Sequence, residues 1–186
     1  MIPPAEGFLK DLRELTEKYE TILIFDEVIT GFRWAPGGAQ ERFGIVPDMT
    51  TMAKIVAGGM PGGCFAGKRE IMSVFEFRDD PNHKKIFHPG TYNANPVSAV
   101  AGSTCLRLVS DPSVQQHCDE MAARLRTGFN TVITSHGAPG FCYGESSVFH
   151  LMLGVECENM TEGDLRRPEG VPYETLKGGM SGKIKS

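Results

Sequence analysis

Residues 21–32 read TILIFDEVITGF. A short apolar run, Thr21 to Phe25, passes directly into two adjacent carboxylates, Asp26 and Glu27. β-Branched and aromatic residues in an unbroken run of this length suit a strand buried in a parallel sheet. An unpaired buried charge costs several kcal/mol. A strand that ends on two acids therefore needs a solvated turn or a cationic partner. The reading adopted is that Asp26 has such a partner and that Glu27 is a structural hydrogen-bond acceptor.

Upstream, residues 5–19 (AEGFLKDLRELTEKY) place Phe8, Leu12, Leu15 and Tyr19 on one helical face with charges opposite. Downstream, a Gly/Pro-rich connector, GFRWAPGGAQERFGIVPD, leads to a second short strand, MTTMAK. GGMPGG (58–63) is a flexible turn, CFAGK a third strand and REIMSVFEF a helix. RDDPNHKK breaks the pattern. Two helices follow, one from Asn95 with Pro96 at its first turn and one over 112–133. SSVFHLMLGVE is strand-like and opens a second unit, while the tail GGMSGKIKS has no core-forming pattern and is expected to fray. The alternation of strands and helices predicts an α/β fold. Residues 1–136 are expected to form one domain and 137–186 the start of a second, α+β one.

With 40% hydrophobic and 23% charged residues, the composition is that of a globular protein. A formal net charge of -4 argues against nucleic acid or an anionic membrane as the main partner. No apolar run approaches the roughly 20 residues that span a bilayer. No secretory signal is expected from the N-terminus MIPPAEGFLK, so an intracellular, cytoplasmic location is expected. Five cysteines, at 64, 105, 118, 142 and 157, include no C-x-x-C pair and are read as reduced thiols. No metal site is expected, and the sequon at Asn159 is a triplet that arises often by chance.

The chemistry-bearing residues form one constellation. Asp26 ends the first strand, Lys54 closes PDMTTMAK, and HPGTYNANP places Gly90 and Thr91 in a turn. Carboxyl ends of neighbouring parallel strands share one edge, where ligands bind. An amine there can condense with an aldehyde, and an acid opposite can keep a pyridine nitrogen protonated. That pair is what pyridoxal phosphate chemistry requires. Each residue also has an ordinary reading: Lys54 as a solvated lysine, Asp26 as a turn cap, Val28 as core, Thr91 as a turn hydroxyl. GGMPGG lacks both the P-loop lysine and the dinucleotide spacing, so it is read as backbone mobility beside Lys54.

At LIFDEVITGFR, GGAQERFGIVPDMTTMAKIVAGGMPGGCFAGKREIM and GTYNANPVSAVAG the sequence resembles the class III pyridoxal-phosphate aminotransferases, and within them the glutamate-1-semialdehyde aminomutase branch. The resemblance covers residues 1 to about 136 well and the rest loosely. It implies part of a fold-type I large domain and transfer of an amino group on pyridoxal 5'-phosphate, from an amino-acid or amine substrate. It further implies Lys54 as the lysine of the internal aldimine and as the proton carrier once released. Asp26 would be the partner of the ring nitrogen and Val28 a contact on the ring face. Thr91 with the Gly90 turn would bind phosphate, in this family usually across a homodimer. Against the family the chain lacks the N-terminal half of the large domain and most of the small domain. It is therefore expected to leave apolar surface exposed and to bind the cofactor poorly alone. An inactive fragment, or a dimerising module, is the alternative expectation. GTYNANP departs from the GTLSGNP of the aminomutases and leans toward relatives acting on β-amino acids or other amines.

Overall fold

The computed structural model describes residues 1–178; the expected fraying of the tail falls, from Gly179 onward, outside them. Contacts divide the chain into two compact units, residues 6–112 and residues 1–5 with 113 onward.

The first unit opens with helix α1 (Phe8–Lys18). Its apolar face exists as expected but has nothing to cover it: Phe8, Leu15 and Tyr19 are all exposed. Strand β1 (Ile24–Asp26) follows, three residues shifted from the expected start, and then helix α2 (Gly38–Phe43). α2 lies inside the stretch read as a connector; its Gly37-Gly38 start reads as a turn, and the cap that makes it a helix comes from a distant residue. Strands β2 (Met49–Ala53) and β3 (Gly63–Gly67) complete a mixed sheet of order β1-β2-β3. β1 runs parallel to β2 with Asp26 opposite Thr51, and β3 runs antiparallel with Phe65 opposite Thr51. A 3-10 turn, Lys54–Ala57, leaves the end of β2. The helix expected over 69–77 is shorter, α3 (Arg69–Met72) followed by a 3-10 turn. Helix α4 (Pro96–Val109) starts on Asn95, whose Oδ1 accepts from the amides of Val97 and Ser98, with Pro96 at its first position as expected.

Asp48 ties this sheet together. Its carboxylate accepts from the Leu23 amide at 2.8 Å, from Arg13 at 3.0 Å and from Lys68 at 2.7 Å. One buried acid thus pins the entry to β1, the helix before it and the exit of β3.

In the second unit, helix α5 (Pro112–Ser135) lies along a hairpin of β4 (Gly140–Glu145) and β5 (Val148–Leu153), with helix α6 (Tyr173–Gly178) closing it. β4 is a strand that the sequence pattern does not announce. Phe141, Cys142 and Tyr143 are all fully buried, so no alternation marks a solvent face. The expected strand over 146–156 starts instead at Val148, because Ser146 turns the hairpin in a left-handed conformation. Phe141, Tyr143, Met152, Leu165 and Leu176 form the core. Asn130 and Arg126 stitch α5 to it. Asn130 donates to the carbonyls of Cys142 and Gly163, both at 2.9 Å, and accepts from the Cys142 amide. Arg126 donates to the Ser146 carbonyl at 2.8 Å and pairs with Asp164. These bonds put the division between units at residues 112–113, the start of α5, whereas the boundary expected at 136–137 marks its end.

All five cysteines are free, and among the described residues no helix is long and apolar enough to cross a membrane. The sequon side chain, Asn159, is engaged at both ends, with the Arg167 carbonyl and the Glu169 amide.

Two outcomes follow from these contacts. Asn130→Ala strands three partners, two of them buried, and lowers stability by about 3 kcal/mol, whereas Thr131→Ala, which removes one exposed bond, changes it by roughly 0.5 kcal/mol; urea midpoints compare the two. The Lys68 ammonium, with the Leu23 amide and the Arg13 guanidinium, holds the Asp48 carboxyl down at about 2. A folded value below the unfolded one means that the contribution is complete above about pH 4 and is lost as pH falls toward 2. With Lys68 half exposed and screened, its size is on the order of 2 kcal/mol. Acid titration of stability in wild type and Asp48→Asn should differ in slope in that window.

Candidate active site

Successive residues of a strand point to opposite faces, and the ladder continues past β1, with the Glu27 amide donating to the Thr51 carbonyl at 2.9 Å. Asp26 and Glu27 therefore part company. Glu27 turns inward and is 2% exposed. It accepts from the Ala39 and Gln40 amides, each at 2.9 Å, and from the Thr30 hydroxyl. Its charge is met by the free amides at the start of α2, which also explains why a helix begins there. The reading of Glu27 as a structural acceptor holds. Gly38 permits this cap: its φ is +77°, and a Cβ there would lie 2.7 Å from Glu27 Oε2.

Asp26 turns outward and is exposed. Its Oδ1 accepts from the Val28 amide at 3.0 Å and from the Thr51 hydroxyl at 3.4 Å. Its Oδ2 has no hydrogen-bond partner among the described residues. Val28 is half-buried.

Lys54 is the first residue past β2, on the same carboxyl edge. It stands three positions beyond Thr51, the residue opposite Asp26, which is about 10 Å along the strand direction. Its φ is +54°, a left-handed conformation that costs a side-chain-bearing residue roughly 1–2 kcal/mol. Such strain gathers where a fold is made to hold a residue for function. Lys54 is exposed, and its amine has no hydrogen bond or ion pair among the described residues. The turn that carries it is clamped against α4: a Cβ on Gly102 would lie 2.4 Å from the Val56 carbonyl. Gly58, the first residue of the stretch read as a flexible turn, approaches α4 as closely: a Cβ there would lie 2.4 Å from the Ala101 carbonyl.

Gly90 and Thr91 begin an exposed turn closed by the Asn93 amide on the Gly90 carbonyl at 3.0 Å, and Asn93 also donates to the His88 carbonyl. No hydrogen bond joins them to Asp26, Val28 or Lys54. A cavity of about 830 Å³ lies between β2, β3, the 88–95 loop and α4, with Thr51, Phe65, His88, Tyr92 and Ser98 among its walls; none of the five expected site residues lines it. The structure thus brings Asp26, Val28 and Lys54 to one strand edge and leaves Gly90 and Thr91 on a separate turn. The sequence carries no signal for Thr51 and Asp48, because only strand register shows what they face. Among the described residues no cluster of three His, Cys, Asp or Glu is placed to hold a metal.

This donor set suits pyridoxal phosphate. An uncommitted carboxylate oxygen and an uncommitted amine stand on adjacent strand ends, open to a ligand.

Comparison with known proteins bears on the family of this chain. The family model for aminotransferase class-III matches residues 1–163. Glutamate-1-semialdehyde 2,1-aminomutase 2 of Brevibacillus brevis is 46% identical over 139 residues, 75% of this chain and 31% of that protein. An omega-transaminase from Sphaerobacter thermophilus superposes with a TM-score of 0.73 at 35% identity, over 94% of this chain and 46% of its own. A transaminase solved with PLP bound gives 0.72 at 34% identity, over 81% and 34%. The chain spans about a third of the length of the curated relatives it matches.

The cap on α2 separates two glycines. Gly38→Ala meets both a left-handed φ and the Glu27 carboxylate and should cost about 3 kcal/mol, while Gly44→Ala, left-handed but with open space around it, should cost about 1 kcal/mol. Denaturation midpoints of the two variants decide it.

Proposed function

The chain belongs to the class-III aminotransferase family, and from that premise we propose that it carries the lysine and acid of a pyridoxal 5'-phosphate site for amino-group transfer, of aminotransferase or glutamate-1-semialdehyde aminomutase type. The observation that carries the proposal is the pairing of β1 with β2, which sets Asp26 and Lys54 at neighbouring carboxyl ends. When bound, the cofactor's ring accepts the electron pair released at the amine-bearing carbon of a substrate. Lys54 Nζ would hold the cofactor at its aldehyde carbon and, when free, would carry a proton between carbon centres of an amine substrate. Asp26 Oδ2 keeps the ring nitrogen protonated. Val28 packs on a ring face. The Thr91 hydroxyl, at the Gly90 turn, would bind phosphate on a second copy of the chain, which fits the lack of a hydrogen bond between it and Lys54. The substrate is an amino acid or another amine.

A second reading, a module that pairs with another chain, is favoured by the exposed apolar surface. Phe8, Leu15 and Tyr19 on α1 and Phe77, Phe87 and Tyr92 further along are all exposed. β1 stands at the sheet edge with Ile22 and Ile24 both about half exposed, a surface that promotes association. The two readings are compatible, since a dimer would bring Thr91 of one copy to Lys54 of the other.

Incubation with pyridoxal phosphate, borohydride reduction and peptide mass mapping tests the catalytic assignment. With Asp26, Lys54 and Thr91 all exposed, labelling is expected to be substoichiometric at equal concentrations but selective for Lys54 over Lys68, Lys84 and Lys85. It should be absent in Lys54→Ala and suppressed by a competing amine. Label spread evenly over the surface lysines would refute the assignment.

A further inference from the structure

Asp26 and Thr51 are register partners on neighbouring strands, so their side chains leave the same face of the sheet. Phe65 faces Thr51 from the other side, and Thr51 and Phe65 line the cavity, while Asp26 stands beside Thr51 at the end of the same row and outside the cavity lining. The Thr51 hydroxyl reaches Asp26 Oδ1 at 3.4 Å and has no other hydrogen-bond partner among the described residues. The Val28 amide reaches that same oxygen at 3.0 Å.

The Val28 bond is local and closes a turn within the chain's own backbone. The Thr51 bond comes from the next strand. Two donors from different elements on one oxygen leave a carboxylate little freedom to tilt, and they commit Oδ1 while sparing Oδ2. Thr51 is also chemically suited to this task. Its hydroxyl donates to a carboxylate without bringing a positive charge that would compete with a cationic ligand for Asp26. Hydrogen bonds of this kind are long in ligand-free sites and tighten when the ligand arrives.

We infer that Thr51 is a positioning residue for Asp26, orienting its carboxylate so that Oδ2 is presented to the ring nitrogen of the cofactor. This rests on the pyridoxal phosphate assignment made above, and the experiment separates the two. Pyridoxamine 5'-phosphate has no aldehyde, so its binding to the full chain reads non-covalent contacts alone; its 1-deaza analogue lacks the ring nitrogen. Calorimetric titration of both ligands into wild type, Thr51→Val and Thr51→Ser gives a preference ratio for each. Val keeps the shape of Thr without the hydroxyl, and Ser restores it.

Wild type and Thr51→Ser should prefer the nitrogen-bearing ligand by about tenfold, the scale of one charge-assisted hydrogen bond, and Thr51→Val should lose most of that preference. An unchanged ratio in Thr51→Val overturns the role of Thr51. No preference in wild type overturns the role of Asp26 toward the ring. In that event Thr51 is judged on the ligand-free chain by carbon-13 relaxation of the Asp26 carboxylate. Ordered behaviour in wild type and Thr51→Ser with mobility in Thr51→Val supports the positioning, and equal mobility in all three overturns it. Thermal melts confirm that each variant is folded.

Discussion

The geometry of the candidate site depends on the pleat of a single strand. Two consecutive carboxylates at the end of β1 cannot share a face, so one must enter the interior and the other must leave it. Glu27 goes inward, where the first amides of α2 and the Thr30 hydroxyl meet its charge. Asp26 goes outward to the carboxyl edge with one oxygen uncommitted. A shift of one residue would exchange them, burying the acid that has no partner and exposing the helix cap.

That register is held elsewhere. Asp48 binds the backbone just before β1, the helix α1 and the residue after β3, so the three strands are fixed at the end opposite the site. At the site end the strained turn at Lys54 is pressed on α4, where Gly102 admits the backbone at a distance no side chain would allow. A rigid far edge and a clamped near edge together hold Lys54 in a conformation that an unconstrained chain would abandon. The second unit is secured differently, by Asn130 and Arg126 reaching from α5 into the hairpin, and it supplies none of the five site residues.

The family resemblance lay in local text, and so did most elements: amphipathic α1 and α5, the Asn95-Pro96 start of α4, the short strands at 24, 49 and 63. Two elements were not legible. α2 begins on glycines and exists because Glu27, eleven residues earlier in the chain than Gly38, caps it. β4 is buried from Gly140 to Gly144, so it carries no alternation, and those two glycines read as turn residues. In both cases the cause is a partner remote in sequence.

The same line divides the site. Asp26 and Lys54 could be named from the sequence because residue type and spacing follow from the chemistry demanded of them: an acid after one strand, an amine after the next. Thr51 and Asp48 could not, since a threonine and an aspartate have many uses and only strand pairing reveals what each one faces. What the chain's own letters determined was which groups carry chemistry. Tertiary structure alone supplied the reason that Asp26 and not Glu27 is available to a ligand, because side-chain direction depends on a register set by contacts far along the chain.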